Sequence, residues 1–200
     1  EIDLGKKALI KKIIFSGNTF FKDRKLKNII VSEESKPWKF ISSKKYLNEK
    51  TVELDKRLLL NYFRNKGFYN AVVLSSNVIS GDDNSFLLTY NIESGKRYKI
   101  RKISIDATGE VKQEYFQKLN KEIKELENEY FSFLKIQRVV DSIEKLKIKN
   151  ELQFIDAQIT DTINDNDTID IKIKIFETKK EYVERINIFG NSITDDHVVR

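Results

Sequence analysis

The stretch "IKKIIFSGN" at residues 10–18 recurs with small changes as "IRKISIDAT" at residues 100–108 and as "VERINIFGN" at residues 183–191. Every copy begins with an apolar, a charged and a basic residue, followed by isoleucine, any residue and a second apolar residue. The isoleucine returns after 90 residues and again after 83. Self-similarity at a nearly fixed spacing indicates tandem copies of one small structural unit.

Each of the first two copies opens with a strand and continues into a helix. Ile13 and Phe15 form one apolar row, which predicts a strand with one face toward a core. Asp23 is placed to act as the N-cap of a helix in "RKLKNII", whose apolar residues fall at helical spacing. In the second copy the corresponding helix is predicted between Val111 and Leu119.

A second helix follows in both copies. In "TVELDKRLLLNYFRNK" (51–66) the apolar residues form a single stripe, and Gly67 comes directly after it. Glycine is favoured where a helix ends in a left-handed residue. The second copy has the same stripe between Ile136 and Leu146, and Asn150 stands near the place of the glycine. Asparagine is the next most favourable residue there.

Both copies close with a predicted hairpin. "AVVLSSNVIS" leads through a turn to "SFLLTYNIE", and "IDAQITDTI" leads through a turn to "TIDIKIKIFE". The last strand alternates isoleucine with polar residues, which is typical of a sheet covered on one face. The sequence therefore predicts an α+β unit of order β-α-α-β-β, in which two helices lie over a three-stranded sheet.

The strand end "IFSGN", the passage "LLLNYFRNKGFYNA" and the closing "ESGKRYKI" together resemble the POTRA domain, most closely the tandem POTRA domains of BamA-type proteins of the Omp85 superfamily. The middle copy departs from this pattern at "DAT" (106–108). The resemblance implies three-stranded mixed sheets, each covered by two antiparallel helices. It places POTRA domains at 7–96 and 97–179, the start of a truncated further domain at 180–200, and an extension or the end of a preceding domain at 1–6.

Composition argues against several other classes of protein. The net charge is +6, but the 37 basic residues are interleaved with 31 acidic ones, so we expect a mixed polar surface and no nucleic-acid partner. Without cysteine, and with His197 as the single histidine, nucleophilic triads have no residues to build on. The pairs Asp82–Asp83 and Asp195–Asp196 fall at predicted turn and helix-cap positions. We therefore expect no enzyme activity, no cofactor and no metal.

Candidate binding residues come from the resemblance. In the family the first hairpin strand lies at a sheet edge, which corresponds here to residues 71–79 and 155–163. Such an edge can pair with an extended peptide through main-chain hydrogen bonds, although it can equally face water alone. The candidate edge residues are Val72, Val73, Leu74, Ser75 and Ser76 in the first unit, and Ile155, Ala157, Gln158 and Ile159 in the second.

A second candidate is the aromatic cluster of Trp38 and Phe40 in "SKPWKFISS". One interpretation is a loop that folds these rings over the end of the helical layer, since large apolar residues are usually buried. The other is a partner contact, because tryptophan beside basic residues is a common binding anchor. Both remain open from the sequence.

The resemblance implies a periplasmic segment, the soluble part of an outer-membrane protein. Its partners would be unfolded outer-membrane β-barrel precursors, accessory lipoproteins of the assembly complex, and its own C-terminal membrane barrel, absent from this chain. The sequence has no methionine, so we expect a piece of a longer precursor. The alternatives are a purely structural periplasmic spacer, or a POTRA arm of another superfamily member such as TamA, a two-partner secretion transporter or a chloroplast import channel.

Overall fold

A computed structural model describes residues 9–36, 45–79, 85–108, 111–150, 152 and 155–178. The first unit consists of β1 (Leu9–Ser16), α1 (Asp23–Lys27), α2 (Glu49–Arg64), β2 (Val72–Ile79) and β3 (Ser85–Glu93). The second unit consists of β4 (Lys99–Ala107), a 3-10 helix (Gln113–Leu119), α3 (Asn120–Leu126), α4 (Phe133–Lys149), β5 (Ile155–Asn164) and β6 (Thr168–Glu177). The predicted α+β class and the order β-α-α-β-β are confirmed. In the second unit the 3-10 helix lies where the first helix is predicted, between Val111 and Leu119, and α3 is an addition that follows it directly.

Each unit has one three-stranded mixed sheet, with strand orders β1-β3-β2 and β4-β6-β5. The last strand of each unit lies in the middle, parallel to the first strand and antiparallel to the second. The parallel register shifts between Ile10 and Lys12 in one unit, and between Ile100 and Lys102 in the other. The two units therefore share even this irregularity in strand pairing, at equivalent positions. β2 and β5 lie at sheet edges.

The buried side chains form two apolar clusters, one for each unit. Members of the first cluster lie between residues 10 and 92, and members of the second between residues 98 and 175. The four isoleucines of β6 are all buried in the second cluster: Ile169, Ile171, Ile173 and Ile175. The two clusters fall on either side of the predicted division near residue 97, and the domain limits themselves stay a prediction.

The two long helices begin in the same way and end differently. Asn48 and Ser132 are the N-caps of α2 and α4, and their side chains accept hydrogen bonds from the amides three residues later. After α2, Gly67 has φ +97°, the left-handed conformation that the sequence predicts. The corresponding prediction for Asn150 is wrong, because its φ is −101°. Its side-chain amide instead donates to the Leu146 carbonyl at 2.8 Å, which satisfies the end of α4 locally.

The prediction for the first helix is wrong in two respects. The N-cap of α1 is Lys22 and not Asp23. Asp23 is the first helical residue, where its negative charge interacts favourably with the positive end of the helix dipole. The helix also ends at Lys27 instead of continuing through Ile30. The cause is a tertiary contact, because the amide of Val31 donates to the Asp55 carboxylate at 2.5 Å and draws the chain away from the helix axis.

Several predictions fall outside the described residues. These are the extension at 1–6, the aromatic pair Trp38 and Phe40, the turn that contains Asp82–Asp83, and the copy that begins at 180.

Candidate peptide-binding edge

The outer edge of β1 is covered by the chain that follows α1. The amide of Ser35 donates to the Ile10 carbonyl at 2.8 Å, and the amide of Ile13 donates to the Glu34 carboxylate at 3.0 Å. Leu9 and Tyr46 add an isolated antiparallel bridge. The polar groups of Ile10 and Ile13 on this edge are therefore already paired, which opposes the addition of a further strand there.

The second unit covers its first strand in the same way. The Ile100 carbonyl accepts from the Asn128 amide at 2.7 Å, and the Ile100 amide donates to the Glu129 carbonyl at 2.8 Å. The Ile103 amide donates to the Glu127 carboxylate at 3.4 Å. In both units, therefore, a glutamate side chain accepts a hydrogen bond from the amide of the anchor isoleucine. No local motif in the sequence predicts this function.

Electrostatics reinforce this contact in the first unit. The pKa of Glu34 lies below its ordinary value, although partial burial works in the opposite direction. The Ile13 amide and the Lys27 ammonium group, which is 2.5 Å from the carboxylate, stabilise the charged form. The carboxylate is therefore ionised at neutral pH and holds the edge closed.

The edge formed by β2 is different. In the described part of the chain, no hydrogen bond connects residues 72–75 to any element other than β3. The side chain of Val73 is buried in the core, whereas Val72 and Leu74 are 45% and 51% exposed. The predicted edge residues of the first unit thus combine an uncovered main chain with two exposed apolar side chains, and this arrangement suits the addition of an extended peptide.

The edge formed by β5 carries carboxylates. Asp156 accepts a hydrogen bond from the Ala157 amide at 2.8 Å, and Asp161 accepts one from the Tyr69 hydroxyl at 2.9 Å. Burial and the hydrogen bond to Asp161 raise the pKa of Tyr69. Among the predicted residues of this strand, Ile155 is buried in the core and Ile159 is exposed. Charged side chains on an edge strand discourage pairing with another chain, so β5 is the poorer candidate.

The two units meet at a joint built around the end of α2. The Asn65 side chain accepts from the Leu134 amide at 2.7 Å and from the Ser132 hydroxyl at 3.2 Å. A residue of the first unit therefore helps to cap helix α4 of the second unit. The amide of Tyr98 donates to the Gly67 carbonyl at 2.8 Å, which ties the connecting segment to the same place.

Arg97 lies in the segment that connects the two units and contacts both sides of the joint. Its guanidinium carbon lies 3.5 Å from the centre of the Tyr130 ring, and its Nε donates to the Lys66 carbonyl at 2.9 Å. A Cβ atom added to Gly67 would lie 3.3 Å from the Tyr130 side chain, so the tyrosine packs closely against the glycine. These contacts fix the connection between the units on both sides of residue 97.

Comparisons with known proteins agree with this architecture. The family model POTRA, described as "Surface antigen variable number repeat", matches residues 8–95. The "Outer membrane protein assembly factor BamA" of Neorickettsia risticii is 25% identical over 198 residues, which covers 98% of this chain and 26% of that protein. The protein of the same name from Neisseria meningitidis is 25% identical over 202 residues, covering 100% of this chain and 25% of that protein.

The chain contains a POTRA domain at residues 8–95 and is similar along its whole length to BamA-type proteins. Its fold is similar to that of BamA POTRA domains 3–5 from Haemophilus influenzae, with a TM-score of 0.68 and 18% identity over 97% of this chain and 76% of the other. The fold likeness includes the second unit, which the family model does not reach. The chain spans about a quarter of the length of the curated relatives named above.

One buried charged residue of the first POTRA unit escaped the sequence predictions. Asp55 is fully buried, and its carboxylate accepts from the amides of Val31 and Ser32 and from the Tyr90 hydroxyl at 2.7 Å. Burial and this hydrogen bond raise the pKa of Tyr90. Asp55 lies on the apolar stripe of α2 between Val52 and Leu59, and an acid on a core-facing stripe is the signal that identifies such a residue.

The described residues bear on two other classes of function. No group of three or more His, Cys, Asp or Glu side chains that could hold a metal ion occurs in the described ranges. The helices in that same part of the chain are all too short or too polar to cross a membrane.

Proposed function

We propose that this chain is part of the periplasmic arm of an outer-membrane protein assembly factor and binds unfolded β-barrel precursors by adding their strands to β2. The single observation that carries the proposal is the unequal treatment of the two edges of the first sheet. β1 is covered by Glu34 and Ser35, whereas 72–75 have no hydrogen-bond partner outside the sheet among the described residues. Proteins generally cover or blunt an edge strand that is not used.

Main-chain pairing suits clients of many sequences. An added strand gains its hydrogen bonds from backbone groups that every residue except proline carries, so recognition depends little on side chains. This edge offers few apolar contacts that a bound peptide could bury. Val72 and Leu74 are its apolar groups, and each is only partly exposed. We expect weak, rapidly exchanging complexes, which allow a precursor to be released to the next step of assembly.

The same proposal assigns two further partners. Accessory lipoproteins of the assembly complex dock on this arm, and a C-terminal membrane barrel of the same protein inserts the precursor. These assignments rest on the BamA-type relatives, which are named outer membrane protein assembly factors.

Peptide titration followed by NMR tests the edge proposal. An end-capped peptide of alternating valine and threonine is added to the 200-residue chain, and we expect amide shifts along 72–75. The same peptide with every residue N-methylated has no amide donor on either edge and serves as the matched ligand control. The variant Leu74→Lys should weaken binding, because an edge lysine opposes strand addition. Shifts confined to the helices, with none along β2, would contradict the proposal.

A purely structural spacer is the second candidate, and the joint favours it. Asn65 and Arg97 each connect the two units through hydrogen bonds or ring contacts, as expected for a stiff rod. Residual dipolar couplings that fit one fixed orientation of the two sheets, together with no response of β2 to any peptide, would support the spacer over the receptor.

A further inference from the structure

A cleft of about 330 Å³ lies between the two units, at the point where β2 begins. Its lining includes Arg64 at the end of α2, Tyr69 and Val72 from the first unit, and Phe131 and Phe133 from the second. The cleft is continuous with the uncovered edge, since Val72 belongs to both. A peptide strand that pairs with 72–75 therefore has one of its ends at this cleft.

Arg64 brings an unpaired positive charge to the cleft. Its Nε is buried and donates to no acceptor, and in the described ranges no carboxylate forms an ion pair with its side chain. The carboxylate of Asp161 accepts a hydrogen bond from the Tyr69 hydroxyl at 2.9 Å. A buried donor without an acceptor is destabilising, so the arginine gains from any carboxylate that enters the cleft.

Apart from Asn70, the remaining walls are aromatic or aliphatic. The rings of Tyr69 and Phe131 pack edge to face with centroids 5.0 Å apart, and Phe133 is 51% exposed although it lies at the start of α4. A charge-assisted hydrogen bond is strengthened beside such walls because less water competes for the charged groups. The arrangement combines one cationic donor with aromatic surface, which fits an acidic residue flanked by apolar ones.

We propose that this cleft is a subsite for an aspartate or glutamate side chain of the precursor strand, one or two residues beyond the stretch that pairs with β2. The proposal rests on the proposed function, and it adds a side-chain preference to recognition that otherwise depends on the main chain. The occupant is an extended segment with an acidic residue next to apolar neighbours. Its carboxylate pairs with the Arg64 guanidinium, and the neighbours contact Val72 and Phe133.

Two end-capped peptides of alternating valine and threonine test this preference, one with a single glutamate near an end and one with glutamine in its place. Acetylated and amidated ends remove the terminal charges. Both orders are made, with the acidic residue at either end, because a strand can add to β2 in either direction. We expect the better glutamate peptide to bind roughly tenfold more tightly than its glutamine partner.

Arg64→Gln should abolish the difference between the two peptides, and Arg64→Lys should retain part of it. The matched control is Arg57→Gln, since Arg57 is an exposed arginine of the same helix and does not line the cleft. Unchanged amide spectra and melting temperatures show that each variant is folded. Equal affinities for both peptides in the wild-type chain, with shifts still present along 72–75, would overturn the subsite and leave the edge proposal intact. An absence of shifts with either peptide would overturn both.

Discussion

The strands β2 and β5 occupy the same place in their units and present different edges. Residues 72–75 carry exposed valine and leucine and no carboxylate of their own, whereas β5 carries Asp156 and Asp161, both of which accept hydrogen bonds. The covered edges, by contrast, are alike, because Glu34 and Glu127 bind equivalent amides. Repetition has therefore kept the fold and the closed edge, and the open edge is where the two units differ.

The interiors of the units differ as well. Asp55 and Val139 each lie seven residues after the N-cap of a long helix, and both are fully buried. Tyr90 and Ile173 are equivalent in the central strands, since each lies two residues beyond the partner of an anchor isoleucine. A buried acid and tyrosine in the first unit thus correspond to valine and isoleucine in the second. Substitutions at these and other paired positions show whether the difference matters.

The largest effect is expected for Asp55→Ala. The change leaves two amides and the Tyr90 hydroxyl without their acceptor, and we expect a loss of about 3 kcal/mol or more in the free energy of unfolding. Native-state hydrogen exchange should show the loss in amides of β1 and β3 and little change in β4 and β6. The matched change Val139→Ala should show the reverse pattern, with a loss of about 2 kcal/mol from the cavity. Equal protection of β1 and β3 in Asp55→Ala and wild type would contradict the assigned role.

The joint is expected to give a smaller effect. Asn65→Ala removes the first-unit acceptor for the Leu134 amide, and we expect the second unit to lose about 1 kcal/mol of stability. Asn48→Ala removes a cap within the first unit and should affect α2 instead. Amide exchange in the first turn of α4 distinguishes the two variants, and identical exchange there would show that the cap across the joint contributes nothing.

Substitutions in the edge strands test whether the peptide-binding properties of β2 and β5 can be exchanged. The double variant Asp156→Asn with Asp161→Asn removes both negative charges from β5 and should allow peptide-induced shifts at 155–161 that the wild-type chain lacks. We expect the affinity of β5 for the peptide to rise a few-fold at most, which corresponds to roughly 1 kcal/mol or less, because removing the charges adds no new contact. Leu74→Lys, measured in parallel, should weaken β2 without changing β5. If both edges respond equally before any substitution, the distinction between them fails.

The smallest effect is a pH dependence of the closed edge of β1. The folded-state pKa of Glu34 is lowered, so its contribution is complete above the ordinary carboxyl range and is lost as pH falls through the folded pKa. Glu34→Gln should therefore cost stability at neutral pH and make little difference in acid. Unfolding measured at several pH values checks this, with Glu127→Gln as the second-unit counterpart. A cost that stays constant from neutral to acid pH would exclude the ionic contribution.

The periodic features could be read from the sequence. The anchor strands, the amphipathic stripes of α2 and α4 and the hairpins follow from local alternation and helical spacing, and the placement of β2 and β5 at the edges followed from the family resemblance. The early end of α1 could not be read, because it depends on a hydrogen bond to Asp55 from a residue distant in the chain. Local pattern contains no information about such a partner.

The same limit applies to the candidate site. The sequence identified which strands lie at an edge, but the covering of β1 and β4 depends on glutamates that look like ordinary surface residues. The cleft at Arg64 is formed by two units together, and no single unit predicts it. Peptide binding at the candidate residues of β2 and β5 stays a prediction.

The contribution of Asn65 to helix α4 has a consequence for the order in which the protein is made. The first unit leaves the ribosome before the second, so it can be complete while the later residues are still unfolded. The end of α2 then presents a ready acceptor at the position where the next helix must start. A costly helix nucleus forms more readily beside such a template. A chain of these units would therefore fold in sequence, each one giving the next its starting point.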